Sequence, residues 1–213
     1  MLFDIYNIFG INKSEARGFR ILLTQSLFLG VFYGALEIAA SSLFLDYFPA
    51  SDITKAYAIS GLTGIFLTTI YSYIHERISF TKVSVINLLF LIFILIFLRI
   101  SFYYLNVKIL VFTLFVLMGP LRIIALTGFW GNVSRLYDLQ KGKKVFGIID
   151  NGWIVGIILS SYFITFLMQH NFHSRNLLLI SILSILITLI LQIIINKVKS
   201  KLVIGMENLR LTP

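Results

Sequence analysis

The sequence predicts an all-α membrane protein of six transmembrane helices, arranged as two inverted repeats of three. Three observations carry that expectation. Apolar residues make up 58% of the chain and charged ones 13%, against the roughly 25% charged residues of a soluble domain. The apolar residues gather into six runs, each near the ~20 residues that cross a hydrocarbon core. Glycine is shared unevenly among those runs: two glycine-bearing runs are followed by one without, and the pattern then repeats.

Residues 1–19 lack the basic start, apolar stretch and small-residue cleavage site of a signal peptide. They are expected to form a cytoplasmic interfacial segment, ahead of a six-helix domain over 20–197 and a cytoplasmic tail over 198–213. Span one is expected over 21–45, with Gly30, Gly34 and Glu37; span two over 54–74, with Gly61 and Gly64. Span three, over 83–105, has no glycine and reads "NLLFLIFILIFLRISFYYL". Span four, over 107–133, carries Gly119, Gly128, Gly131 and Arg122; span five, over 145–169, carries Gly147, Gly152 and Gly156. Span six, over 176–196, is again free of glycine, "NLLLISILSILITLILQIII". Small residues let membrane helices approach closely, and Gly30-x-x-x-Gly34 and Gly152-x-x-x-Gly156 have the helical spacing for it. Spans one, two, four and five are therefore expected to pack together, with three and six facing lipid. Three spans followed by three with opposite starting sides is the layout of an inverted repeat; an ordinary six-helix bundle is the alternative.

The charges give the direction of insertion. Lys13, Arg17, Arg20, Arg77, Lys82, Arg135, Lys141, Lys143, Lys144, Lys197, Lys199, Lys201 and Arg210 fall on one side, against Lys55, Lys108 and Arg175 on the other. The positive-inside rule then places both termini in the cytoplasm, in the cell (inner) membrane. The same distribution explains the net charge of +9 without nucleic acid as a partner. "RLYDLQKGKKVFGIIDNG" contains Gly142-Lys143, yet a Walker-type loop needs a glycine where Tyr137 stands. There is no cysteine, and His75, His170 and His173 fall in connectors without ligand spacing. No catalytic group, metal site or cofactor is expected, and the protein is not expected to be an enzyme.

Polar residues inside spans are costly, so they mark candidate sites. Arg122 lies near the middle of span four, too deep to reach either surface. Glu37 is its expected partner, the two forming either a structural ion pair or part of an anion site. Tyr33, Tyr57, Tyr71 and Asn132 complete the candidate substrate-binding set. Tyr57, Gly61, Gly64, Thr68 and Tyr71 share a face of span two and line either a polar path or a packing seam. Gly119-Pro120 either opens the backbone near Arg122 or merely kinks the helix. Arg99 is expected to snorkel from the outer end of span three. On the cytoplasmic side Glu76, Arg77, Arg135, Asp138 and Asp150 are expected to form a gate of opposite charges.

Several of these stretches resemble the nucleotide (ATP/ADP) antiporter-like branch of the major facilitator superfamily. "GINKSEARGF" and "GALEIAASSLFLDYF" are similar to the lead-in and first helix of that family, and "YSYIHERISFTK" to a degenerate loop between its helices two and three. The most specific likeness is "FWGNVSRLYDLQKGKKVFGIIDNG", through Trp130, Asn132, Asp138, Lys143, Lys144, Phe146 and Gly152. The resemblance covers the chain but only six of the family's twelve helices, and it implies an amino-terminal half. It implies exchange of nucleotides or other phosphorylated anions, and the expected function is movement of a small organic anion by alternating access, with a second six-helix half supplied by the same chain continued or by a homodimer. No basic residue in span two matches the family's nucleotide contact. A non-transporting sensor or scaffold that anchors a partner in the bilayer is the competing expectation.

Overall fold

The computed structural model describes residues 16–77, 80–137, 139–170 and 172–211, with side chains described except at 75, 76, 80, 139–144 and 199–211. Six long helices account for nearly all of it: α1 (Ala16–Tyr47), α2 (Ile53–Arg77), α3 (Phe80–Tyr104), α4 (Val107–Ser134), α5 (Leu139–Gln169) and α6 (Leu177–Leu211). Each is long and apolar enough to cross a membrane, which makes the chain a multi-pass membrane protein. Single 3-10 turns, Ala50–Asp52 and Ser174–Asn176, precede α2 and α6. The α3–α4 junction is tighter: the Asn106 side chain accepts from the Lys108 backbone N–H at 3.0 Å, satisfying a donor that the first turn of α4 leaves open. Among the interfacial residues expected over 1–19, those before Ala16 lie outside the described residues. The basic connector after α4 is shorter than the sequence suggests, because α5 starts at Leu139 and carries Lys141, Lys143 and Lys144 on its opening turns.

Packing centres on two helices. α1 packs most extensively on α5 and α6 and also touches α4; α4 in turn packs on α2 and α3; and α3 meets α6. Burial follows from that order: 61% of the most apolar stretch of α1 is buried, against 28% for α5 and 17% for α2. The core includes Phe32, Leu36, Phe44, Leu95, Phe115, Leu121, Ile164 and Ile185.

The α1–α5 seam is a glycine interlock: the spacing marks both helices for close approach, and the structure pairs them with each other. A Cβ at Gly30 would overlap the carbonyl oxygen of Trp153, and one at Gly156 the carbonyl oxygen of Leu27. At Gly34 and Gly152 the first obstacles are the hydroxyls of Ser160 and Ser26. Ser26, Gly30 and Gly34 therefore face Gly152, Gly156 and Ser160 in matching order along two parallel helices. Contact of this kind replaces hydrophobic driving force, which lipid does not provide between helices.

Two expectations are corrected. α2 is not a packed helix of the kind α5 is: Gly61 has no heavy atom near it, and Gly64 only accommodates the ring of Pro120, 3.7 Å from where its Cβ would be. α3 and α6 are not lipid-facing extras, since 44% of the apolar stretch of each is buried. Glycine count misleads here because bulky helices also pack when a polar stripe joins them. On α6, Ser181, Ser184, Thr188 and Gln192 are buried at helical spacing; Ser84, Asn87 and Ser101 do the same on α3.

Candidate functional site

Arg122 is half-buried and lies at a depth set by helix geometry. Counting ~1.5 Å per residue from the helix ends that α1 and α4 share, Arg122 is about 22 Å deep, Tyr33 about 21 Å and Glu37 about 15 Å. The residue level with the guanidinium is thus Tyr33, and Arg122 Nη1 donates to the Tyr33 hydroxyl at 3.0 Å. The guanidinium also lies over the Tyr33 ring at 4.3 Å and near the Trp153 ring at 5.7 Å, within the ~6 Å range of cation–π attraction. Tyr33 and Trp153 stack on each other with centroids 5.6 Å apart, and both are buried.

The expected direct Arg122–Glu37 ion pair is therefore corrected. Among the described residues with described side chains, the ion pair is Lys55–Asp52 at 3.0 Å. Glu37 is half-buried, one turn beyond Tyr33, and interacts with the Tyr33 hydroxyl that Arg122 also addresses. The centre holds a carboxylate, a phenol and a guanidinium in sequence, with an indole against the last two.

The glycine interlock builds this arrangement. Tyr33 lies between Gly30 and Gly34, and Trp153 between Gly152 and Gly156. The close approach that the glycines permit brings the two rings into contact. Trp153 was not among the expected site residues, although its position beside two glycines on the packing face of span five was the available signal.

The remaining candidates are elsewhere. Asn132 is buried in the core, donating to Gly128 O at 3.1 Å and to Gln192 Oε1 at 2.9 Å. Gln192 Oε1 also accepts from Gln25 at 2.9 Å, and Gln192 Nε2 donates to Asn196 at 3.0 Å. This amide cluster ties α1, α4 and α6 together. Tyr57 is exposed and packs edge-on against Phe115 at 5.1 Å. Tyr71 is half-buried and interacts with Asn87 of α3, while Thr68 donates to its own helix at Gly64 O, 2.7 Å away. The tyrosine face of α2 therefore belongs to the α2–α4 side of the bundle, and Arg122 has its contacts on α1 and α5. α4 continues unbroken through Gly119-Pro120.

Along α4, with Phe146 of α5 at one side, runs a cleft of about 710 Å³ from Ile123 to Arg135, and Arg122 is not among its lining residues. Trp130 and Phe146 meet edge-on across it at 5.8 Å. Of the expected gate, Arg135 and Asp150 are exposed, and Arg77 lies over the Tyr73 ring of its own helix at 4.4 Å. Asp138 and the side chain of Glu76 lie outside the described residues. Arg99, expected to snorkel from the outer end of span three, donates to Asn176 Oδ1 in the turn before α6 at 2.9 Å. Comparison of the chain with family models, with curated proteins and with solved structures finds no match.

Proposed function

We propose that this chain is one six-helix half of a secondary transporter of the major-facilitator type, moving a small organic anion, with a nucleotide as the leading candidate. The observation that carries the proposal is Arg122: a half-buried guanidinium at mid-span whose partners are a phenol and two aromatic faces, so its charge is not cancelled by direct contact with a carboxylate. An arginine there costs at least ~2.5 kcal/mol to insert. A planar fork of donors suits bidentate phosphate or carboxylate recognition, and the buried Tyr33–Trp153 stack holds that fork in place from α1 and α5. Glu37 serves as countercharge or proton carrier, linked to the guanidinium through Tyr33.

The helix pairings support a repeat of three and three. Exchanging α1, α2 and α3 with α4, α5 and α6 turns α1–α5 into α4–α2 and α1–α6 into α4–α3, and leaves α1–α4 and α3–α6 as they are. In this reading a second half, from a continued chain or a second copy, covers the side where α2 and α5 are exposed. The cleft from Arg135 to Ile123 is the cytoplasmic route, and both termini face the cytoplasm of the cell membrane.

Uptake of labelled ATP and ADP into proteoliposomes preloaded with unlabelled nucleotide is the test. Arg122→Lys should fold normally and transport weakly, and Arg122→Ala should not transport. If a variant with Glu37→Gln and Arg122→Met together transports normally, the pair has no part in substrate handling.

A further inference from the structure

The end of the bundle opposite the basic connectors holds a second charged cavity, of about 700 Å³, between the ends of α1 and α3 and the turn before α6. That volume is within the roughly 300–1,000 Å³ of small-molecule sites. The geometry points to a binding site for the headgroup of a zwitterionic phospholipid, with Arg99 and Arg175 receiving the phosphate and Asp46 the ammonium group.

The cavity is held in shape by three successive residues. Ser174 shares a hydrogen bond with Ser42 of α1 at 2.9 Å. Arg175 donates to the Tyr47 hydroxyl of α1 at 2.9 Å. Asn176 accepts from Arg99 of α3 at 2.9 Å. Each guanidinium thus spends one donor on a neutral oxygen, which fixes its orientation and leaves its charge uncompensated. A guanidinium has five N–H donors, and Arg99 Nε is buried without a partner. Such a donor is costly to leave open and is suited to an anionic oxygen.

Charge and surroundings narrow the ligand. Asp46 lines the same cavity and is exposed, so a second anionic centre would be repelled there and a cation welcomed. Two arginines beside one aspartate match a phosphate joined to an ammonium better than they match a dianion. The floor is apolar, formed by Leu43, Phe102 and Phe172. Below Tyr103, at the rim, an exposed apolar stripe of Ile100, Ile96 and Phe93 descends α3. It supplies a wall for acyl chains, and Tyr103 itself suits the membrane–water interface. Water-soluble phosphoethanolamines share the headgroup chemistry but have no use for that wall.

The experiment reconstitutes the full chain in vesicles of phosphatidylethanolamine and phosphatidylglycerol at equal amounts, then quantifies phospholipid retained after mild detergent extraction. The wild type should retain the ethanolamine lipid in about tenfold excess, the worth of one charge-assisted hydrogen bond. The Arg99→Gln, Arg175→Gln double variant should lose retention of both lipids. Asp46→Asn, at an exposed position, should keep lipid while its preference falls to about one, and it decides the matter even where the double variant does not fold. Equal retention of the two lipids by the wild type, an unchanged preference in Asp46→Asn, or displacement by equimolar glycerophosphoethanolamine would overturn the assignment.

Discussion

Gly156→Ala should destabilise the bundle by about 2 kcal/mol, although the change adds only one methyl group. The added Cβ would overlap the Leu27 carbonyl oxygen and come within 3.0 Å of Gly30 Cα. Both obstacles are backbone, so no rotamer change relieves them. The helices must part by roughly 1 Å, and a gap of that size forfeits a quarter to a half of each contact's attraction along the seam. Overpacking of this kind costs ~1–3 kcal/mol, and immovable backbone puts it near 3. Against that, alanine gains about 1 kcal/mol over glycine in helix propensity. Gly61→Ala is the matched control: nothing is near its Cβ, so only the gain applies. Reversible unfolding in mixed micelles, followed by tryptophan emission, measures both, and Trp153 reports the seam directly. A Gly156→Ala protein as stable as Gly61→Ala would refute close backbone contact between α1 and α5.

Other outcomes follow from particular contacts. Ile185 on α6 is fully buried and Leu62 on α2 is 69% exposed; alanine at 185 should cost about 2 kcal/mol or more and at 62 under about 0.5, measured in the same unfolding assay. Gln192→Leu removes the oxygen that accepts from both Gln25 and Asn132. It should cost about 1–2 kcal/mol, since interhelical bonds in membranes average ~0.6 kcal/mol and the stranded Gln25 donor adds to this. Equal stability would show that the amide cluster is dispensable. Tyr33→Phe retains the ring over Arg122 but loses its hydroxyl, so nucleotide uptake should need roughly fivefold more substrate, with fold preserved. Tyr33→Leu, which also removes the cation–π contact, should need more still; indistinguishable uptake by the two would remove the ring from the site.

Span boundaries were legible because each apolar run is bounded by charge or a cap: α4, for instance, starts at Val107 and ends at Ser134, beside the expected 107–133. The close-packing edges of α1 and α5 were legible too, since Gly30, Gly34, Gly152 and Gly156 mark them at helical spacing, but not that the two edges meet each other. The partnership of α1 with α6 was not. Leu, Ile and Phe look alike whether they meet lipid or another helix, and only the sparse Ser184–Thr188–Gln192 stripe distinguishes the two. At the site, Arg122 was conspicuous by cost alone, whereas its true contact depended on depth. Glu37 attracts notice as the opposite charge, but Tyr33 is level with the guanidinium, and distance decides. Asn132 was misplaced for a related reason: ten residues from Arg122 on one helix, it faces α6 and not the aromatic pair.

That α1 is clasped most heavily by α5 and α6 has a bearing on how the chain is made. Among these six helices α1 is made before α5, so its Ser26–Gly30–Gly34 edge stays uncovered until α5, with Gly152, Gly156 and Ser160, has been inserted. Gly156 follows Gly30 by 126 residues, which at ~5–20 residues per second of synthesis is on the order of ten seconds. Through that interval the narrow glycine edge of α1 is open to whatever small-residue surface drifts past, including that of a neighbouring nascent chain. Closure of this seam thus comes only after α5 has been inserted, and a helper that shields α1 during synthesis would raise the yield of correctly closed protein.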